Sequence, residues 1–213
     1  MSYEKGMFAF FNANDSDMKQ ILIVEDQAEI RELVRISLEF EDYDIQEAEN
    51  GVIGYGPLAE PGTEDMHLVN AGGQHVTLKP EAAVVHHADS FAMIRGGHLD
   101  LCVLGAFQVA DNGDIANWAT SENDTAPAVG GAMDLAAGAK RLWVIMDHTT
   151  KSGEAKLVSK CSYPLTAQTC VKRVYTNLAT VDITDRGFIV RAMAPGLTFE
   201  NLQARTEAKL HTA

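Results

Sequence analysis

The side chain best placed to do chemistry is Glu49, where a short apolar segment, Tyr43 to Ala48, ends in the turn Glu49-Asn50-Gly51. A carboxylate at a strand end, followed by glycine, can attack an acyl carbon and split one difficult transfer into two easier steps. Glycine pairs at Gly96-Gly97 and Gly130-Gly131 offer backbone amides that could hydrogen-bond the oxyanion formed in such an attack. The plainer reading of Glu49 is a solvated carboxylate in a turn. Glu25-Asp26 is a second acidic feature. Its oxygens suit a hard cation such as Mg²⁺, or they favour the start of a helix through its dipole. His86-His87 is the histidine pair most suggestive of a metal. Adjacent strand residues point to opposite faces and no second ligand stands at a suitable spacing, so no metal site is expected. Cys102, Cys161 and Cys170 are odd in number and form no C-x-x-C pair. That pattern fits a reducing compartment, with neither a disulfide framework nor a zinc site.

Elements must position these groups. Gln20 to Val24 reads as a strand, and Ile30, Leu33, Val34 and Leu38 recur at helical spacing up to Phe40. With Tyr43 to Ala48 they form one βαβ unit. Gly51 to Asp65 carries so much glycine and proline that a functional loop is expected there. Leu99 to Leu104 and Leu142 to Met146 are continuous apolar runs, as in strands buried on both faces of a parallel sheet, and Gly130 to Lys140 between them reads as a glycine-led helix. Phe107 to Ala110 and Ile115 to Trp118 flank Asp111-Asn112-Gly113-Asp114, a hairpin signal. Leu178 to Ile183 and Phe188 to Ala192 flank Thr184-Asp185-Arg186-Gly187, a second one. The expected fold is α/β, three-layer, with a mostly parallel sheet and antiparallel additions.

The chain has 213 residues, enough for one large or two small domains, and its hydrophobic content of 46% supports a substantial core. With 30 acidic against 17 basic side chains the net charge is -13, so nucleic acid and anionic membranes are poor partners. No apolar run is long enough to span a bilayer, and the first residues lack a secretory signal. A cytoplasmic location is expected by default.

From Glu49 onward the chain resembles the B subunits of family I CoA-transferases, the 3-oxoacid and 3-oxoadipate enzymes. The resemblance rests on ENGVIGYGP, LVNAGGQHVTLKP, HHADSFAMIRGGHLDLCVLGAFQV, GDIANW, AVGGAMDLAAGAK, MDHTTKSGEAKLV and CSYPLTAQTCVKRVYT. It implies a CoA-transferase-type sheet and transfer of CoA from succinyl-CoA to a 3-oxo acid by a ping-pong cycle. Glu49 would be the nucleophile, forming a mixed anhydride and then a glutamyl-CoA thioester. Asn50, Gly51, Gly130, Gly131 and Ala132 would bind CoA or the oxyanion. A separate A subunit would complete the enzyme, and no cofactor is implied beyond the CoA thioester that serves as substrate. The HHADSF stretch is more similar to the 3-oxoadipate enzymes of aromatic catabolism than to the acetoacetate enzymes.

Residues 18–51 depart from that pattern. The family's N-L-G-I-G-x-P segment is absent, and MKQILIVEDQAEIRELVRISLEFEDYDIQEAENG resembles the opening β-α-β of a response-regulator receiver domain. In that resemblance Glu25 and Asp26 would hold Mg²⁺, yet no acceptor aspartate follows Gly51 on a third strand. The sequence therefore reads as a chimera, with a receiver-like segment over 1–48 and a CoA-transferase domain of B-subunit type over 49–213. Ala48 stands where the family has serine before its glutamate, and Gly73 where it has lysine. A catalytically impaired hybrid and a two-component receiver remain as alternative functions.

Overall fold

In a computed structural model that describes residues 20–24, 44–46, 52–69, 74–121 and 130–212, the two longest apolar runs become the middle of one sheet. They are β5 (Leu101–Leu104) and β8 (Leu142–Met146). Beside β5 lie β1 (Gln20–Val24) and β2 (Asp44–Gln46). Beside β8 lie β10 (Val171–Thr176), β11 (Ala179–Thr184), β12 (Gly187–Met193) and β13 (Leu210–Thr212). The order is β13-β12-β11-β10-β8-β5-β1-β2. Only the β10–β11 and β11–β12 pairs are antiparallel. The other five are parallel, so the α/β expectation holds. Val24, Leu104, Val144 and Val174 stand in one row across four strands.

Both faces of the central strands are buried. Cys102, Leu104, Leu142, Val144, Val174, Val181 and Phe188 face one core, which also takes Phe91, Ile94, Leu135 and Leu202 from the helices. Leu101, Val103 and Trp143, on the opposite face, are buried as well. The helices are α1 (His87–Arg95), α2 (Ala132–Gly138) and α3 (Phe199–Gln203). Helices α1 and α2 meet closely through glycine. A Cβ on Gly131 would lie 2.4 Å from the Phe91 ring, and one on Gly138 would lie 2.4 Å from the Ile94 carbonyl oxygen. Seven residues separate these glycines, two helical turns, so they share the face turned to α1.

Both expected hairpins form. β6 (Gln108–Ala110) pairs with β7 (Ile115–Ala116) around the Asp111–Asp114 turn, and β9 (Leu157–Val158) adds to β6. β11 turns into β12 through Asp185-Arg186. The expected loop after Gly51 is partly wrong, because β3 (Val52–Leu58) pairs antiparallel with β4 (Val76–Val84). Glycine and proline are tolerated because the register shifts twice along this ribbon. Gly54 takes a φ of 85°, and the missing Cβ of Gly56 leaves room for Thr77, whose hydroxyl donates to the Pro57 carbonyl at 3.0 Å. His86 and His87 are not on a strand. His86 caps α1, its Nδ1 accepting the Ala88 amide at 3.2 Å. The predicted helix up to Phe40 lies outside the described residues.

Candidate active site

Parallel strands share a direction, so their carboxyl ends emerge along one edge of the sheet, where open α/β sheets bind ligands. On that edge end Val24, after which Glu25-Asp26 follow in the sequence, and Gln46, three residues before Glu49; Leu104 runs on there into Gly105-Ala106, and Met146 into Asp147-His148. Glu25, Asp26, Ala48, Glu49, Asn50, Gly51 and Gly73 themselves lie outside the described residues. Helix α2 leads back into β8. Its carboxyl end sits by the start of β5, since the Lys140 amide donates to the Leu99 carbonyl at 3.0 Å. The Gly130-Gly131-Ala132 turn at its other end therefore lies toward the carboxyl edge. There Gly130 has a φ of 52°, and Met133 is exposed.

Gly96-Gly97 does not belong to this edge. It ends α1, with the Gly96 amide on the Ala92 carbonyl and the Gly97 amide on Ile94. Gly97 adopts the left-handed conformation that glycine supplies at helix stops. Because α1 and α2 both lead into parallel strands, this stop lies at the amino edge, away from Gly130.

The best-defined polar network on the carboxyl edge surrounds His148, which is fully buried. Its Nδ1 lies 3.0 Å from Thr176 Oγ1 and its Nε2 lies 2.8 Å from Thr206 Oγ1. Its backbone N–H donates to Asn177 Oδ1 at 2.9 Å. Thr176 Oγ1 accepts the Leu178 and Ala179 amides, and its proton has two acceptors in reach, the Ala179 carbonyl at 3.0 Å and Nδ1. Nε2–H then donates to Thr206 Oγ1, whose own proton goes to the Leu202 carbonyl. A protonated ring would find no acceptor at Nδ1. Burial, and then the Arg205 charge, push the His148 pKa down to about 4. The sequence patterns considered above do not single out His148. Its one signal is a polar residue closely following the apolar run Leu142 to Met146.

The thiols are poorly suited to attack. Burial pushes both Cys161 and Cys170 up to about 11, and each sulfur lies near a carbonyl, of Asp114 and Gly113 respectively. Among the described residues no group of three or more His, Cys, Asp or Glu side chains could hold a metal ion. No described helix is long and apolar enough to cross a membrane.

Residues 45–205 match the profile of the coenzyme A transferase family. The chain belongs to that family. The B subunit of a 3-oxoadipate CoA-transferase of Pseudomonas putida is 56% identical over 156 residues, 73% of each chain. The B subunit of a probable succinyl-CoA:3-ketoacid coenzyme A transferase of Bacillus subtilis is 44% identical over 162 residues, 76% of this chain and 74% of that one. The fold is similar to the acyl-CoA transferase YdiF of Escherichia coli O157:H7, with a TM-score of 0.70 at 18% identity. That likeness covers 92% of this chain and 39% of the YdiF chain. The protein is thus a CoA-transferase of B-subunit type, as the sequence resemblance implies.

Proposed function

We propose that this CoA-transferase moves CoA from succinyl-CoA to 3-oxoadipate, and that Glu49 is its nucleophile. Identity supports the substrate: the relative named for 3-oxoadipate is 56% identical and the one named for 3-ketoacids 44%. The carboxyl end of β2, three residues before Glu49 in the sequence, lies on the edge that α2 approaches with Gly130-Gly131, and this supports the mechanism. The Glu49 carboxylate attacks the succinyl thioester carbonyl, giving a mixed anhydride and CoA thiolate. The thiolate then attacks the glutamyl carbonyl, and succinate leaves. The glutamyl-CoA thioester hands CoA to the 3-oxo acid by the reverse steps. Asn50, Gly51 and the amides of Gly130, Gly131 and Ala132 bind the CoA thioester and its oxyanion. A CoA-transferase A subunit supplies the facing half of the site. A cytoplasmic location agrees with this reading.

Co-expression with a 3-oxoadipate CoA-transferase A subunit, followed by assay with succinyl-CoA, tests it. The complex is expected to prefer 3-oxoadipate over acetoacetate, and borohydride after succinyl-CoA is expected to reduce a thioester at Glu49. Glu49→Ala should lower kcat by roughly three orders of magnitude or more, about 4 kcal/mol at about 1.4 per tenfold. A loss below tenfold reduces Glu49 to a turn residue.

A second reading rests on the family match beginning only at residue 45. In it the receiver-like segment leaves β1 and β2 in the sheet without the chemistry. A wild-type complex that is inactive until a family-type N-L-G-I-G-x-P segment is grafted upstream supports this second reading.

A further inference from the structure

A short hairpin rises from the carboxyl edge directly after His148. Thr149 bridges Ala155, the Thr150 amide donates to the Glu154 carbonyl at 2.8 Å, and the Gly153 amide closes the turn on Thr150. Lys151, Ser152 and Gly153 form its exposed tip. The Glu154 amide donates to Thr150 Oγ1 at 3.0 Å and the Ser152 hydroxyl to the Glu154 carboxylate at 3.3 Å, so the tip is tied to itself, and the bonds that fix its direction against the sheet are those at its base.

Two consecutive residues from the far end of the chain grip both legs of that base. On the entering leg, Thr206 Oγ1 holds the buried His148 ring. On the leaving leg, the Glu207 amide donates to the Leu157 carbonyl at 3.1 Å, and the Glu207 carboxylate accepts the Ser159 amide and hydroxyl, each at 2.7 Å. The legs are joined to each other by the Lys156 amide on the His148 carbonyl. Gln203 ties the clamp back to α3 and β13, donating to the Thr206 and Ala208 carbonyls and accepting the Leu210 amide.

The clamp's distance from the carboxyl end of β2 bears on what the hairpin meets. β8 is three strands from β2, roughly 14 Å at about 4.8 Å per strand. That is beyond the reach of a reacting acyl group, but within the span of the long phosphopantetheine and nucleotide arm of CoA. Lys151 at the tip adds a cation to a chain of net charge -13, where an anionic ligand needs one.

We infer that His148 is a positioning residue for CoA transfer, which with Thr206 and Glu207 fixes the 149–155 hairpin against the CoA arm of the substrate. The inference rests on the CoA-transferase reading of the carboxyl edge. His148 itself touches no reacting atom. Contacts to the remote arm that persist through the reaction lower KM and leave kcat nearly unchanged.

Three variants, His148→Ala, His148→Gln and the milder Thr206→Val, test it in two kinds of measurement. In complex with the A subunit, His148→Ala and Thr206→Val should raise KM for succinyl-CoA about tenfold with kcat held within about twofold. His148→Gln, which restores an amide donor for Thr206, should recover most of the loss. In the chain alone, amide exchange over 149–155 should quicken about tenfold in Thr206→Val, while β5 and β8 keep their protection. A fall in kcat with KM unchanged, or a lower melting temperature with no change in hairpin exchange, overturns the inference. If the wild-type complex transfers no CoA, the proposed function fails, and the exchange measurement alone decides whether His148 fixes the hairpin.

Discussion

The strand β2 of the eight-stranded sheet and the strand β3 of the β3–β4 ribbon are neighbours in the sequence, yet the sheet and the ribbon are stabilised very differently. The sheet buries both faces of β5 and β8 and takes contacts from three helices. Among the residues whose burial is described, the ribbon buries Val52, Tyr55 and Val76, with Leu68 against them. Along β4, Val76, Leu78, Ala82 and Val84 alternate with Thr77, Lys79 and Glu81, but Val84 is 70% exposed and Leu78 is at the margin of exposure. Two paired strands with so little buried surface are marginal alone in water.

The largest stability effect that would break this comparison comes from matched truncations. Phe188→Ala, in the sheet core, is expected to cost about 3 to 5 kcal/mol, and Val76→Ala in the ribbon only about 1. Denaturant melts of both variants measure the difference, and equal losses would mean that the ribbon folds as one unit with the sheet. Acid sharpens the comparison within the sheet itself. His148 has a folded pKa near 4 against 6.5 unfolded, so the unfolded chain takes up the proton first as pH falls. Stability from the neutral ring is fully present above about pH 6.5 and declines toward pH 4, by on the order of 3 kcal/mol. Melting temperatures at pH 7, 5.5 and 4.5 follow the decline, which His148→Gln should flatten. Smallest of all is Arg191→Ala. Arg191 Nε donates to Asp182 at 2.7 Å, but Asp182 is also held by Arg173, and Arg191 is substantially exposed. Its loss should cost under about 1 kcal/mol, and salt should reduce even that.

Much of the sheet was legible because its signals are local. Leu142 to Met146 reads as a buried strand from its unbroken apolar run, and the Asp185-Arg186 turn follows from the short polar break between two apolar runs. The ribbon was harder to read. Gly54, Gly56 and Pro57 look like loop residues, and only the register shifts that absorb them make a strand of that segment. Pro80 likewise obscured the alternation of β4, since proline argues against an interior strand. At the site, the glycine pairs carried identical local signals, yet topology sends Gly130-Gly131 and Gly96-Gly97 to opposite edges. His148 was hidden for another reason. Its partners Thr176 and Thr206 stand 28 and 58 residues away, a separation that no local pattern records.

The two margins of the large sheet also bear on how this chain behaves at high concentration. Among the described residues the margins are β2 and β13, each only three residues long. A strand that short exposes few unpaired amides and carbonyls, so a second molecule finds little on which to extend the sheet. The long strands of this sheet, β11 and β12, are paired on both sides, whereas β3 and β4 of the ribbon each have one strand partner among the described residues, so the longer template for edge-to-edge growth lies in the ribbon and not in the sheet.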